Sequence, residues 1–205
     1  MGKESKMLKM SNITQKWVDV MKPFTRDYSA RLTATEIAKL SGVPQQTTSR
    51  ILNSFVKLNL IDYAVHGKNK LFYFKKDKIS TPSLFAVVEG VKSVDFSINF
   101  PRESLIIAKL AKCCEGIILF GSHASGKSKK DSDFDVVFVG KCDKNELRKI
   151  KEMSPLEIHG QIVSYEELRK TIYEKHPLAL EISGNHILFG DVGKIIKFFL
   201  EAKNG

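Results

Sequence analysis

Apolar positions recur along this chain with two periods, near 3.6 and near 2, and the switches between them mark its elements. From 14 to 24, Trp17, Val18, Val20 and Met21 form a helical stripe that ends near Pro23. Thr33-Ala34-Thr35-Glu36 is a capping-box start, followed by Ile37, Ala38 and Leu40 on one side and by Gly42 as the stop. Pro44 opens a third helix, 45–60, in which Ile51, Leu52, Phe55, Val56 and Leu58 recur at helical spacing. Two alternating stretches, 61–67 and 69–76, then read as strands joined at His66-Gly67-Lys68-Asn69.

The second half continues the pattern. Thr81-Pro82-Ser83 starts a helix, and the alternation Ser93 to Phe100 reads as extended chain. A helix over 102–114, with Cys113 and Cys114 packed as small hydrophobes, leads into the apolar strand Gly116–Phe120. After a polar turn comes a strand opened by Asp133 and Asp135 and continued by VVFV. A polar-faced helix (143–153), a strand (156–164), helices at 164–176 and 176–183, a strand (186–190) and an amphipathic helix (191–204) complete the chain. Strands alternating with helices predict an α/β sheet, mixed in direction and layered by helices.

Composition adds one asymmetry. Of a net +10 over 205 residues, residues 1–80 carry 15 Lys+Arg against 6 Asp+Glu, about +9, while 81–205 are close to neutral. A solvated lysine-rich face would bring glutamate along with lysine, and the first half lacks it. The imbalance points to a basic nucleic-acid-binding module joined to a near-neutral one. Three cysteines, Cys113, Cys114 and Cys142, are too few for a disulfide framework and wrongly spaced for zinc. The first 16 residues have no apolar core of a signal peptide, and Lys6 stands where a myristoylation motif wants Ser or Thr. With no apolar run approaching membrane length, a reduced, cytoplasmic protein without a membrane partner is expected.

The chemistry is concentrated in GIILFGSHASGKSKKDSDFDVVFV, 116–139. Asp133 and Asp135, two apart on a strand, point to one face and repel unless a cation lies between them. Gly121-Ser122 ahead of them offers amides and a hydroxyl to phosphate oxygens. The letters from Gly121 to Ser128 also fit the P-loop pattern, with Lys127 as its lysine. A P-loop needs a helix starting at that lysine, and the few residues before the next strand do not make one. A structural role for the aspartates as turn formers explains them but not the Gly-Ser at fixed distance.

Gly121-Ser122, ten residues, then Asp133-Phe134-Asp135, with Ser132 before and an apolar strand after, resembles the signature of the polymerase-β-like nucleotidyltransferases, especially their minimal branch. The resemblance implies that Gly121, Ser122 and Lys127 hold a nucleoside triphosphate and that Asp133 and Asp135 bind Mg²⁺. Catalytic members add a third carboxylate on the next strand, and here that position falls at His159, with Glu157 and Gln161 on the same face. Glu157 and His159 are therefore the candidate bases. The first half, through T-x-x-E-I-A, S-G-V and T-x-S-R-I-L and the order of its elements, resembles the winged helix-turn-helix DNA-binding domain. That likeness implies a reading face of Gln45, Gln46, Thr47, Thr48 and Arg50 in the major groove of duplex DNA, with Lys68 and Lys70 against phosphates.

The expected fold class is thus α/β plus winged helix: a winged helix-turn-helix domain (1–80), a linker helix with an extended connection (81–100) and a small polymerase-β-like domain (101–205). Two functions are expected from it. One is Mg²⁺-dependent nucleotidyl transfer to an acceptor hydroxyl of protein, RNA or a small molecule. The other is transcription regulation, in which the second domain senses a nucleotide or mediates a homodimer.

Overall fold

The computed structural model describes residues 14–129, 132–174 and 176–201; the features expected over 1–13 and at the chain's last four residues lie outside them. The chain divides into two compact units, Met1–Thr81 and Pro82–Gly205.

The first unit contains α1 (Gln15–Thr25), α2 (Ala34–Ser41), α3 (Gln45–Lys57), β1 (Ile61–His66) and β2 (Asn69–Phe74). The capping box is present: the Thr33 side chain accepts from the Glu36 amide, and the Glu36 carboxylate accepts from the Thr33 amide at 2.8 Å. Gly42 ends α2 in the left-handed region (φ +69°), its N–H donating to the Ala38 carbonyl. Such a cap satisfies otherwise orphaned carbonyls. α3 stops at Lys57 rather than 60, because Asn59 turns to φ +58°. β1 and β2 pair antiparallel from Ile61↔Phe74 to His66↔Asn69, leaving Gly67-Lys68 as a two-residue turn with Gly67 at φ +59°. Leu32 adds a one-residue antiparallel bridge to Phe72, so a third stretch of chain borders the hairpin. Edge-on contacts of Trp17 with Phe55 and of Phe24 with Phe74 tie α1 to α3 and to β2.

α4 spans Ser80–Asn99 as one helix, so the stretch 93–99 expected to be extended is helical. Of its alternating apolar residues only Phe96 is buried, while Val94 and Ile98 are exposed. The intervening side chains back-bond to the preceding turn, Ser93 to the Glu89 carbonyl, Ser97 to that of Ser93 and Asn99 to that of Asp95. A period-2 pattern loses here to burial on one helical side.

The second unit continues with α5 (Pro101–Cys113), β3 (Cys114–Leu119), α6 (Gly121–Ala124), β4 (Phe134–Cys142), α7 (Lys144–Met153) and β5 (Ile158–Val163). α8 (Tyr165–Tyr173), α9 (Pro177–Gly184), β6 (Ile187–Gly190) and α10 (Val192–Glu201) follow. Cys114 opens β3 instead of ending the helix. The sheet order is β5-β4-β3-β6, with β4 and β5 parallel and β3 antiparallel to both its neighbours. One face, Ile117, Leu119, Phe134, Val136, Phe138 and Ile187, joins Phe96, Ile106, Leu110 and Leu147 in a core cluster. α8 and α10 lie on the opposite face, where Ile195 packs so close to Gly116 that a Cβ there would come within 2.8 Å of it. Among the described residues no helix is long and apolar enough to cross a membrane.

Candidate functional site

Alternation along β4 puts Phe134, Val136 and Phe138 into the core and turns Asp135 to the other face. The parallel register Phe134↔Ile158 and Asp135↔His159 sets His159 directly beside Asp135. One step earlier the same register places Asp133 beside Glu157, and the Phe134 amide donates to the Glu157 carbonyl at 2.8 Å to lock it. Gly160 permits the close approach of β5, since a Cβ there would lie 2.6 Å from the Val136 carbonyl oxygen.

The result is a cluster at the end of the sheet. Ligand-capable atoms of Asp133, Glu157 and His159 all lie within 4.8 Å of one another, and all three residues are exposed. His159 Nε2 is 2.8 Å from Glu157 Oε1. The Glu157 hydrogen bond, against a small opposing cost of burial, holds the imidazole above its ordinary pKa, with Glu157, Asp133 and Asp135 adding attraction. Asp135 differs from these three. It is half-buried, and burial raises its carboxyl above the usual range, opposed by His159, reinforced by Asp133 and opposed again by His123.

Gly121 explains where Asp135 sits. It has φ +70°, and a Cβ on it would collide with the Asp135 carboxylate, so only glycine lets that carboxylate lie against the turn. The Phe120 amide donates to the Asp135 carbonyl at 3.0 Å, carrying the strand pairing up to the turn. Gly121-Ser122 starts the short α6 rather than an irregular turn. The Ser122 carbonyl accepts from Ser125 Oγ at 3.0 Å and from the Lys127 amide at 3.0 Å, and the Lys127 side chain is exposed. No helix begins at Lys127 among the described residues, as a P-loop would require.

His123 is a participant that the linear pattern did not single out. It is 3% exposed, its Nε2–H donates to the Ser132 carbonyl at 3.1 Å, and its ring meets Phe134 edge-on at 4.8 Å. Its Nδ1 is buried without a hydrogen-bond partner among the described residues. The imidazole is a strut between α6 and the residue preceding Asp133. Its position inside the Gly-Ser turn was the available signal, but burial of a polar side chain in a turn is invisible in the pattern.

A second missed group is Glu89 and Lys92 of α4 with His186 just before β6, the carboxylate and the imidazole both buried. Glu89 is fully buried, 2.9 Å from Lys92 Nζ and 3.4 Å from His186 Nε2, and Ser93 Oγ donates to the Leu188 carbonyl at 2.7 Å. It fastens α4 to the strand beyond β3 and lends no group to the acidic cluster.

In the first unit, Gln45, Gln46 and Arg50 are exposed on α3 and Thr47 is half-buried. Gln45 Nε2 donates to Thr35 Oγ1 at 2.9 Å, which orients it across α2. Thr48 departs from expectation: it is fully buried and its hydroxyl donates to the Val43 carbonyl at 3.2 Å, because it occupies the inner side of the first turn of α3. Lys68 is exposed in the hairpin turn, and Lys70 lies over the Tyr63 ring at 4.2 Å from its centroid.

Two carboxylates and an imidazole converging within one ion's reach can hold a divalent cation, and Asp135 is the direct strand partner of His159. No curated protein and no solved structure matches the chain significantly. Residues 104–186, which run from α5 to the threshold of β6 and include every member of this cluster, match the family model of the nucleotidyltransferase domain.

Proposed function

We propose that the second unit binds a nucleoside triphosphate with a divalent ion at the β3–β4–β5 end of its sheet and transfers the nucleotidyl group to an acceptor hydroxyl. The observation that carries this is the convergence of Asp133, Glu157 and His159 beside an Asp135 packed on Gly121. Asp133 and Asp135 would hold the ion, Mg²⁺ on the family resemblance, leaving Glu157 or His159 beside them to act on the acceptor. Such an ion supplies charge neutralisation to the triphosphate and the departing pyrophosphate. Gly121, Ser122 and Lys127 face the phosphates in this reading, and Lys127 contributes a mobile charge from an exposed position. Acceptor activation falls to Glu157 or His159. Their mutual hydrogen bond lets the carboxylate orient the imidazole as an acceptor's proton leaves.

The first unit fits duplex DNA through the exposed Gln45, Gln46 and Arg50 of α3 and through Lys68 and Lys70 of the hairpin, in the manner of a winged helix. Its +9 charge supports that partner. A transcription regulator whose second unit senses a nucleotide is the second reading, favoured by an imidazole standing opposite Asp135 where catalytic relatives carry a carboxylate.

Calorimetry with a triphosphate, with and without a divalent ion, tests the site. Asp133→Ala and Asp135→Ala are each expected to abolish ion-dependent binding, and Lys127→Ala only to weaken it. Loss in Lys127→Ala alone would restore the P-loop assignment. Transfer of label from a radiolabelled triphosphate to lysate acceptors separates enzyme from sensor.

A further inference from the structure

We propose that α4 carries a homodimer interface, its outward side pairing antiparallel with the same helix of a second copy and Val91 lying on the two-fold axis. The nucleotidyl-transfer reading neither supports this nor depends on it. α4 is apolar on two sides. Phe85, Val88 and Phe96 are buried on the inner one. Leu84, Val87, Val91, Val94 and Ile98 follow at steps of 3, 4, 3 and 4 residues, which sets them in one stripe on the other side. Leu84 and Val91 are half-buried, but Val87 is 37% exposed, Val94 58% and Ile98 71%. The charges of α4 lie off this stripe: Glu89 is fully buried with Lys92 paired to it, and Asp95 sits at the stripe's edge. A helix side that met only water would carry charge, as α7 does with Lys144, Glu146, Arg148, Lys149 and Glu152.

Small residues border the stripe, with Ser83, Gly90 and Ser97 recurring at every seventh position. A Cβ on Gly90 would meet nothing within 4 Å, so the chain's own packing does not call for glycine there. Glycine inside a helix weakens it, and the room it leaves suits the close approach of another helix. The stripe itself selects the second copy as that helix. It is close to palindromic about Val91, with Leu84 and Ile98 seven residues to either side, Val87 four before and Val94 three after. An antiparallel copy therefore sets Leu84 against Ile98, Val87 against Val94 and Val91 against itself. Aliphatic meets aliphatic at every level, and no charge on the stripe repels its like. From Leu84 to Ile98 the stripe runs about 21 Å at the helical rise. A helix pair of that length buries on the order of 900 Å² in total, which fits a weak dimer in exchange with monomer rather than a permanent one.

The test is sedimentation equilibrium on the full chain across the micromolar range of concentration. Wild type is expected to pass from monomer to dimer within it. Val94→Glu changes an exposed position, so circular dichroism should show the fold kept. Its dissociation constant should rise at least about a hundredfold, because an unpaired carboxylate enters the contact twice per dimer. Adding Val87→Lys to Val94→Glu should bring the constant back to within about tenfold of wild type, since the antiparallel register puts each lysine opposite a glutamate. A parallel pairing would set like against like and gain nothing. Met153→Glu, on the exposed surface of α7, should leave the dimer unchanged. A chain that stays monomeric throughout overturns the proposal and leaves the stripe to a different protein. A dimer that survives Val94→Glu, or one that Met153→Glu weakens equally, puts the contact elsewhere and overturns it too. Failure of the charge-swapped double variant to recover overturns the antiparallel pairing.

Discussion

Gly121 and Gly126 share a backbone conformation, φ +70° and +69°, but not an environment. A Cβ on Gly121 runs into the Asp135 carboxylate, while a Cβ on Gly126 meets nothing within 4 Å. Both alanine variants should therefore lose about 1 kcal/mol to the left-handed backbone. We predict that Gly121→Ala loses about 1–2 kcal/mol more and also loses ion-dependent triphosphate binding, because Asp135 must swing away. Gly126→Ala should keep that binding. Urea unfolding and calorimetry on the pair read the two effects separately; equal behaviour of both variants would mean the contact is immaterial. His123 belongs to the same scale, its ring bracing the Ser132 carbonyl one residue before Asp133.

At the scale of an element, α4 is held by a buried charge. Burial by itself would raise the Glu89 carboxyl, but His186 and then Lys92 outweigh it and bring its pKa from 4.5 down to about 2. A depressed carboxylate contributes stability that is complete above its unfolded value and is lost as pH falls towards its folded one. We predict that the second unit loses on the order of 3 kcal/mol as pH drops through that window, from 4.5 to about 2. Glu89→Gln should flatten this acid limb in urea midpoints measured against pH. An acid limb as steep in the variant as in wild type would assign the loss to other carboxylates. At pH 7 Glu89→Ala should be severe, about 3–5 kcal/mol, since it takes the buried carboxylate away from Lys92 and His186.

For the molecule as a whole, the charge asymmetry sets the expected partner. With +9 in residues 1–80, full-length protein is predicted to bind duplex DNA with an affinity that falls steeply as salt rises. Removing Lys68 and Lys70 together as alanines should lower the salt slope by about two and weaken all sequences alike. Arg50→Ala should instead relax sequence preference. Mobility-shift titrations across salt concentrations check all three, and absence of binding at low salt would reassign the first unit to protein contacts.

Local rules determined much of this protein from its sequence. The Thr33–Glu36 cap, the Gly42 stop, the Gly67-Lys68 turn and the alternation of β4 each depend on neighbours within a few residues, so they were legible in one dimension. The Gly-Ser turn and the paired aspartates were legible for the same reason. Tertiary structure decided what depends on distant partners. It made 93–99 a helix, because Phe96 alone finds a core and the polar side chains bond back along the turn. It buried Thr48 and His123, whose hydroxyl and ring find carbonyls that spacing does not announce. It also brought Glu157 and His159 together. The sequence left them as alternatives on one strand, and the parallel register of β4 with β5 sets both against the aspartates, His159 beside Asp135 and Glu157 beside Asp133. Register is a property of two strands at once, and neither strand's residues state it alone.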